Sequence, residues 1–217
     1  MFPHPIFSKL STFTFYLCTT SPRRQQIIQQ LGFKPIVIAP TFEENLDKTI
    51  YTVKQYVTET ATGKILSVWN SLDESERHGD ILLLSADTVV ENDGRIYEKP
   101  KTYEENCRML KELRDSPTPT YIHSGVVLLL GDETRPDGYR MERFVETTGV
   151  VMKKEVSDEF IEQYCKSGEG LTVAGGFRIQ GYGSTFITGI RGDFFNGVGL
   201  PAGRTFDKIC EILQCEI

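Results

Sequence analysis

The chain has 217 residues, with 24 Lys and Arg against 30 Asp and Glu, for a net charge of −6. Domains run to about 100–200 residues, so this length suits one large domain or two closely joined lobes and excludes a peptide-sized scaffold or a long repeat array. The acidic balance argues against a sequence-independent nucleic-acid binder, which needs a strongly basic surface; 11% aromatic and 25% charged residues describe a globular chain rather than a disordered one.

The opening segment, residues 1–11, holds two prolines and no periodicity, and reads as a loose extension. Phe13 to Cys18 is rich in β-formers and reads as a strand. Thr19-Thr20-Ser21-Pro22 then supplies capping hydroxyls and a proline at the first helical position, so a helix should follow, with Ile27, Ile28 and Leu31 as its apolar stripe and Gly32 as its stop. Lys34 to Ala39 reads as a second short strand, followed by a loop with the acidic pair Glu43-Glu44. Val53, Val57, Ala61, Ile65 and Val68 recur at helical spacing, predicting a helix over about 52–69 despite Gly63. Ile81 to Ser85 is a continuous apolar run suited to a strand buried on both faces, with Asp87 at its C-terminal end. This alternation predicts an α/β sheet with ligands gathered outside the strand ends.

Residues 102–113 form an amphipathic helical pattern, and two strand-like runs, 121–130 and 140–152, flank a polar turn-rich stretch from Gly131 to Gly138, a pair suited to a second lobe. Ser157 to Cys165 reads as a capped helix, Gly168 to Gly203 as glycine-rich turns around short apolar runs, and 202–213 as a closing helix. The five cysteines are scattered with no C-x-x-C pair, which points to reduced thiols in an intracellular, cytoplasmic setting. Phe13 to Cys18 is too short and Thr-studded for a secretory signal, and no apolar run nears the roughly 20 residues of a membrane helix.

Four groups of residues carry chemistry. Thr19, Ser21, Arg23 and Arg24 at a strand-to-helix junction suit a phosphate group, though an ordinary helix cap with solvated arginines gives the same letters. Glu43-Glu44 and Asp87 suit Mg²⁺, which takes one or two carboxylates and completes its shell with water and phosphate oxygens; a turn or cap aspartate is the competing reading. Lys64 and Lys99 are unremarkable in isolation. In Ala174-Gly175-Gly176-Phe177-Arg178-Ile179-Gln180-Gly181 the glycines allow close backbone approach and Gln180 offers a paired donor and acceptor for a planar base, while tight turns would use the same glycines. No Walker A loop or strand-borne G-x-G-x-x-G is present, and His4, His78 and His123 are too scattered for a metal set.

In chain order, Thr19-Thr20-Ser21-Pro22-Arg23-Arg24, Leu31-Gly32, Glu44, Lys64, Ala86-Asp87-Thr88-Val89-Val90, Glu98-Lys99-Pro100, Ala174-Gly175 through Gln180-Gly181, Gly192-Asp193 and Val198-Gly199-Leu200-Pro201 resemble the Maf family of nucleoside triphosphate pyrophosphatases. The resemblance covers about residues 13–213. It implies a mixed twisted α/β sheet in two lobes around a central cleft, related to the inosine triphosphatase-like fold and often dimeric, with residues 12–217 as one domain. It also implies divalent-metal-dependent hydrolysis, by Mg²⁺ or Mn²⁺, of a nucleoside triphosphate to the monophosphate and pyrophosphate. By motif, Arg23, Glu44, Lys64, Asp87, Lys99 and Gln180 match the family's polar site positions, with Glu44 and Asp87 as metal ligands and Thr19 where Ser is usual. The expected partner is the nucleotide, with no nucleic acid and no membrane.

The pattern departs at Thr172-Val173, where Asp-Lys usually precedes Ala-Gly, and at Thr120 and Ser124, where His and Thr are common. Losing Asp-Lys removes two charges, so a nucleotide-binding regulator with little turnover is the rival reading. Gln180 and Glu98-Lys99-Pro100 favour a pyrimidine-type substrate such as dTTP or UTP over modified guanine nucleotides.

Overall fold

The computed structural model describes residues 2–216. Its strands are β1 (Thr14–Cys18), β2 (Ile36–Ile38), β3 (Ile81–Asn92), β4 (Arg95–Tyr97), β5 (Thr120–Gly131), β6 (Tyr139–Met152) and β7 (Ile187–Arg191). They form one mixed sheet in the order β2-β1-β3-β5-β6-β7, with β4 paired antiparallel to β3. The helices are α1 (Pro5–Leu10), α2 (Pro22–Gln30), α3 (Val53–Ser71), α4 (Glu74–Arg77), α5 (Tyr103–Asp115), α6 (Asp158–Lys166), α7 (Phe194–Val198) and α8 (Ala202–Ile212). No helix among the described residues is long and apolar enough to cross a membrane.

The chain divides into two compact units. The first holds the described residues up to Asp87, Ser124–Val145, and those from Gly199 onward. In it β1 runs parallel to both β2 and β3, in a register that pairs Cys18 with Ile38 on one side and with Ser85 on the other. Parallel strands need long crossovers, which α2 and α3 supply. Helix α3 starts at a reciprocal cap in which Thr52 and Gln55 satisfy each other's backbone N–H groups, and it buries Ala61, Ile65, Val68 and Trp69 against Tyr16, Leu83 and Val127. Gly125 of β5 is what lets α3 approach: a Cβ there would meet the Val57 carbonyl at 2.6 Å. Residues 5–10 are helical rather than loose. Pro5 opens α1, the His4 ring nitrogen Nδ1 accepts a bond from the Ile6 N–H at 3.2 Å, Ile6 is fully buried, and Phe7 meets Phe33. Six residues are too few to display a helical period in sequence.

The second unit holds Thr88–His123 and Glu146–Val198. Its core gathers Val90, Leu110, Leu113, Ile161, Phe177 and Phe186. Helices α5 and α6 start at Thr102 and Ser157, whose hydroxyls accept the N–H of Glu105 and Phe160. Strand β3 turns into β4 through Asp93 and Gly94, both with positive φ, the geometry of a two-residue hairpin turn. Three short 3-10 turns, Glu169–Thr172, Ala174–Gly176 and Tyr182–Phe186, occupy the glycine-rich segment before β7.

Candidate active site

In the first unit, β1 ends at Cys18 and its chain turns at Thr19. The buried Thr19 gives its N–H to the Ile38 carbonyl at 2.9 Å and accepts the Ser21 N–H on its hydroxyl at 3.0 Å, which fixes the approach to α2. Ser21 is the cap residue, but its hydroxyl makes no capping bond, and Pro22 takes the first turn. Arg23 and Arg24 follow, both half-buried. Arg24 donates from Nε to the Gly199 carbonyl at 2.9 Å. Burial pulls its pKa below the ordinary guanidinium value, while the charges of Asp87 and Glu44 act in the opposite direction. An arginine beside two carboxylates is thus part of this cluster rather than a solvated surface residue.

Lys64 is the centre of the cluster. Its Nζ lies 2.7 Å from Asp87 Oδ1 and 3.0 Å from Glu44 Oε1, and its side chain is only 8% exposed. An ammonium this enclosed is rare without paired carboxylates. It sits in α3 between the buried Ala61 and Val68, next to Ile65, so the helix itself carries the charge inward. Asp87 is equally enclosed, with its side chain 9% exposed, whereas that of Glu44 is 53% exposed. Asp87 does not end its strand as the apolar run suggested. β3 continues to Asn92, and Asp87 stands two residues beyond the last pair with β1, so it emerges at the carboxyl end of that neighbour instead.

The acidic loop is oriented by two contacts. Glu43 accepts a bond from the Asn45 side chain at 3.3 Å, which turns it to its own loop and leaves Glu44 facing Lys64. The Phe42 ring packs against Gly63 of α3, where a Cβ would collide with it. Gly63 was legible only as a weak point in a helix; its use is to seat the residue that begins the acidic loop.

In the second unit, the Glu98-Lys99-Pro100 and Ala174-to-Gln180 motifs come together. The Gly175 N–H donates to the Glu98 carbonyl at 3.1 Å, and the fully buried Asn106 donates from Nδ2 to the Gly176 carbonyl at 2.9 Å. Gly175 and Gly176 have φ of +69° and +75°, a conformation that side chains disfavour, and Cβ atoms there would press on Val90 and Asn106. Lys99 and Gln180 are both exposed. Of the departure at 172–173, Thr172 is exposed and Val173 is buried, so the position where the family pattern has a lysine is filled here by a packed apolar group.

Among the described residues no group of three or more His, Cys, Asp or Glu could cage a metal ion. Glu44 and Asp87 nevertheless fit Mg²⁺ or Mn²⁺ as carried with a nucleotide, because such an ion needs one or two carboxylates and takes its other ligands from water and phosphate. Their convergence on one ammonium marks where positive charge is already required.

The model of Maf-like proteins matches residues 14–212. The chain belongs to the Maf family. It is 38% identical over 201 residues to a Schizosaccharomyces pombe protein named dTTP/UTP pyrophosphatase, covering 91% of this chain and 83% of that protein. A Saccharomyces cerevisiae protein of the same name is 36% identical over 210 residues, covering 90% and 89%. Against a human protein named probable bifunctional dTTP/UTP pyrophosphatase/methyltransferase, the Maf chain matches at 34% identity over 96% of its own length and 33% of that protein.

Proposed function

We propose that this Maf protein hydrolyses a pyrimidine nucleoside triphosphate, dTTP or UTP, to the monophosphate and pyrophosphate. The observation that carries the reading is the buried Lys64 held between Asp87 and Glu44. The named activity of its relatives and the motif order support the substrate class.

Water must attack the α-phosphorus, the bond from that phosphorus to the bridging oxygen of the β-phosphate breaks, and pyrophosphate departs. Asp87 orients the water and takes its proton, since a carboxylate held by Lys64 at one oxygen has a fixed direction. Lys64, Arg23 and Lys99 neutralise the triphosphate, with Thr19, Ser21 and Arg24 completing the phosphate end. Gln180 reads the base edge through its amide. Glu44 and Asp87 would hold Mg²⁺ or Mn²⁺, which would supply further neutralisation of the triphosphate charge.

A panel of canonical and modified triphosphates with Mg²⁺ or Mn²⁺, scored for pyrophosphate, should show dTTP and UTP cleaved fastest. Binding without any release would establish the regulator reading instead. The loop geometry gives a further expectation. Gly63→Ala forces the Phe42 ring off α3 and moves Glu44 with it; a shift of about 1 Å in a site group costs up to roughly 100-fold in rate. We expect kcat to fall by about 10–100-fold while thermal stability changes by only about 1 kcal/mol, because alanine improves the helix by a similar amount to the local strain. An unchanged kcat would show that Phe42 does not place the acidic loop.

A further inference from the structure

Glu169 lies in the first of the 3-10 turns, directly after Gly168 at φ +71°, and its side chain is only 10% exposed. Its Oε1 accepts the Tyr182 N–H at 3.0 Å and its Oε2 accepts the Gly183 N–H at 3.0 Å. These are the first backbone donors of the turn Tyr182–Phe186, whose own cap residue, Gly181, has no side chain to satisfy them. The carboxylate also packs so closely on Gly181 that a Cβ there would collide with it. Arg178 Nη1 stands 4.0 Å from Oε1, and the Tyr164 hydroxyl accepts the Arg178 N–H at 3.3 Å. Burial foremost, and then the charge of Glu169, keeps that phenol above its ordinary pKa and therefore neutral.

Each oxygen of Glu169 thus accepts one N–H of the main chain just after Gln180, and the Tyr164 hydroxyl and Arg178 hold the same carboxylate from the other side of the loop's sequence. Gln180 is exposed, so no packing around its own side chain fixes its direction; that direction is set by the buried Ile179 before it and the held Gly181-Tyr182-Gly183 after it. Two charge-assisted bonds to one carboxylate are a stiffer restraint than neutral turn bonds. We propose that Glu169 is the positioning residue that holds Gln180 for nucleobase selection, an inference that rests on the reading of Gln180 as the base contact. Glu169 touches no substrate; it acts through the backbone.

The test uses the full chain with Glu169→Ala, Glu169→Gln, Gln180→Ala and the Glu169→Ala/Gln180→Ala double variant, measuring kcat and KM for dTTP, UTP and dATP by pyrophosphate release. A base contact made equally in ground and transition states appears in KM. Glu169→Ala should raise KM for dTTP about tenfold, with a much smaller change in kcat, and should narrow the preference for dTTP over dATP. Glu169→Gln keeps one carbonyl acceptor and should restore part of that preference. The double variant should be no less selective than Gln180→Ala alone, as expected for two residues acting through one contact.

Wild-type selectivity in Glu169→Ala, or in Glu169→Gln if the alanine variant does not fold, overturns the proposal when Gln180→Ala has lost selectivity. A fall in kcat with selectivity intact overturns it too, leaving Glu169 a structural cap. Retained selectivity in Gln180→Ala instead refutes the base contact, and the positioning role falls with it.

Discussion

Replacing Lys64 with Met should lower stability by about 3–5 kcal/mol and slow pyrophosphate release by about 10²–10³-fold. Methionine keeps the length and apolar stem of lysine but removes the ammonium that stands 2.7 Å from Asp87 and 3.0 Å from Glu44. The stability loss falls chiefly on Asp87, which is enclosed and would lose its 2.7 Å ammonium partner. Glu44 is half in solvent, so its pair with Lys64 contributes only about 0–1 kcal/mol. Arg24 and its fixed bond to the Gly199 carbonyl remain in place and offset part of the lost charge, which puts the expected loss at the lower end of the range. Denaturant unfolding and a pyrophosphate assay on the same preparation check both halves. A variant as stable and as fast as the parent would mean that Lys64 is not the cation on which the cluster is built.

Asp87→Asn should separate rate from stability. Asparagine has the same shape, and its carbonyl oxygen still accepts the Lys64 ammonium bond now made at 2.7 Å, so the fold should persist. On the mechanism proposed above, what it removes is the basic oxygen that takes the proton of the attacking water, a contribution of about 10²–10⁴-fold. We expect kcat to drop by that factor with KM for dTTP changed much less. The pairing of results is diagnostic: Lys64→Met loses stability and rate together, and Asp87→Asn loses rate. Wild-type turnover in a folded Asp87→Asn variant would remove Asp87 from the chemistry.

The alternation of strands and helices was legible because its core elements are strongly periodic; α3 and α5 fall within about two residues of the apolar pattern. β3 was cut short because its apolar run stops at Ser85, and the continuation carries Asp87, Thr88, Glu91 and Asn92. Those polar residues stay in the strand because tertiary pairing, with β4 at Val90, Glu91 and Asn92, outweighs local composition. The Asp93-Gly94 turn was a readable hairpin signal and marks the true end. Residues 121–130 and 140–152, which read as a pair suited to a second lobe, lie in β5 and β6, and each of these strands has residues in both compact units.

The site was legible in a different way. Lys64 looked like an ordinary helix lysine because burial depends on what packs around it, and its two partners stand 20 and 23 residues away on either side. Motif order singled it out where local chemistry did not. For Arg24 the sequence left two readings, a phosphate ligand or a solvated arginine beside a helix cap, and its bond to Gly199, 175 residues on, was not readable from either. Glu169 left no mark beyond a glutamate among glycines, since its role lies in accepting N–H groups 13 and 14 residues downstream.

The position of bond cleavage tests the central claim most directly. Hydrolysis of dTTP in ¹⁸O-labelled water, followed by mass spectrometry of the products, reports which phosphorus the water attacks. Attack at the α-phosphorus places the label in the nucleoside monophosphate and leaves the pyrophosphate unlabelled, and this is the expected result. Label in pyrophosphate, or release of inorganic phosphate with the nucleoside diphosphate, would contradict a site in which Asp87 directs water to the α-phosphorus.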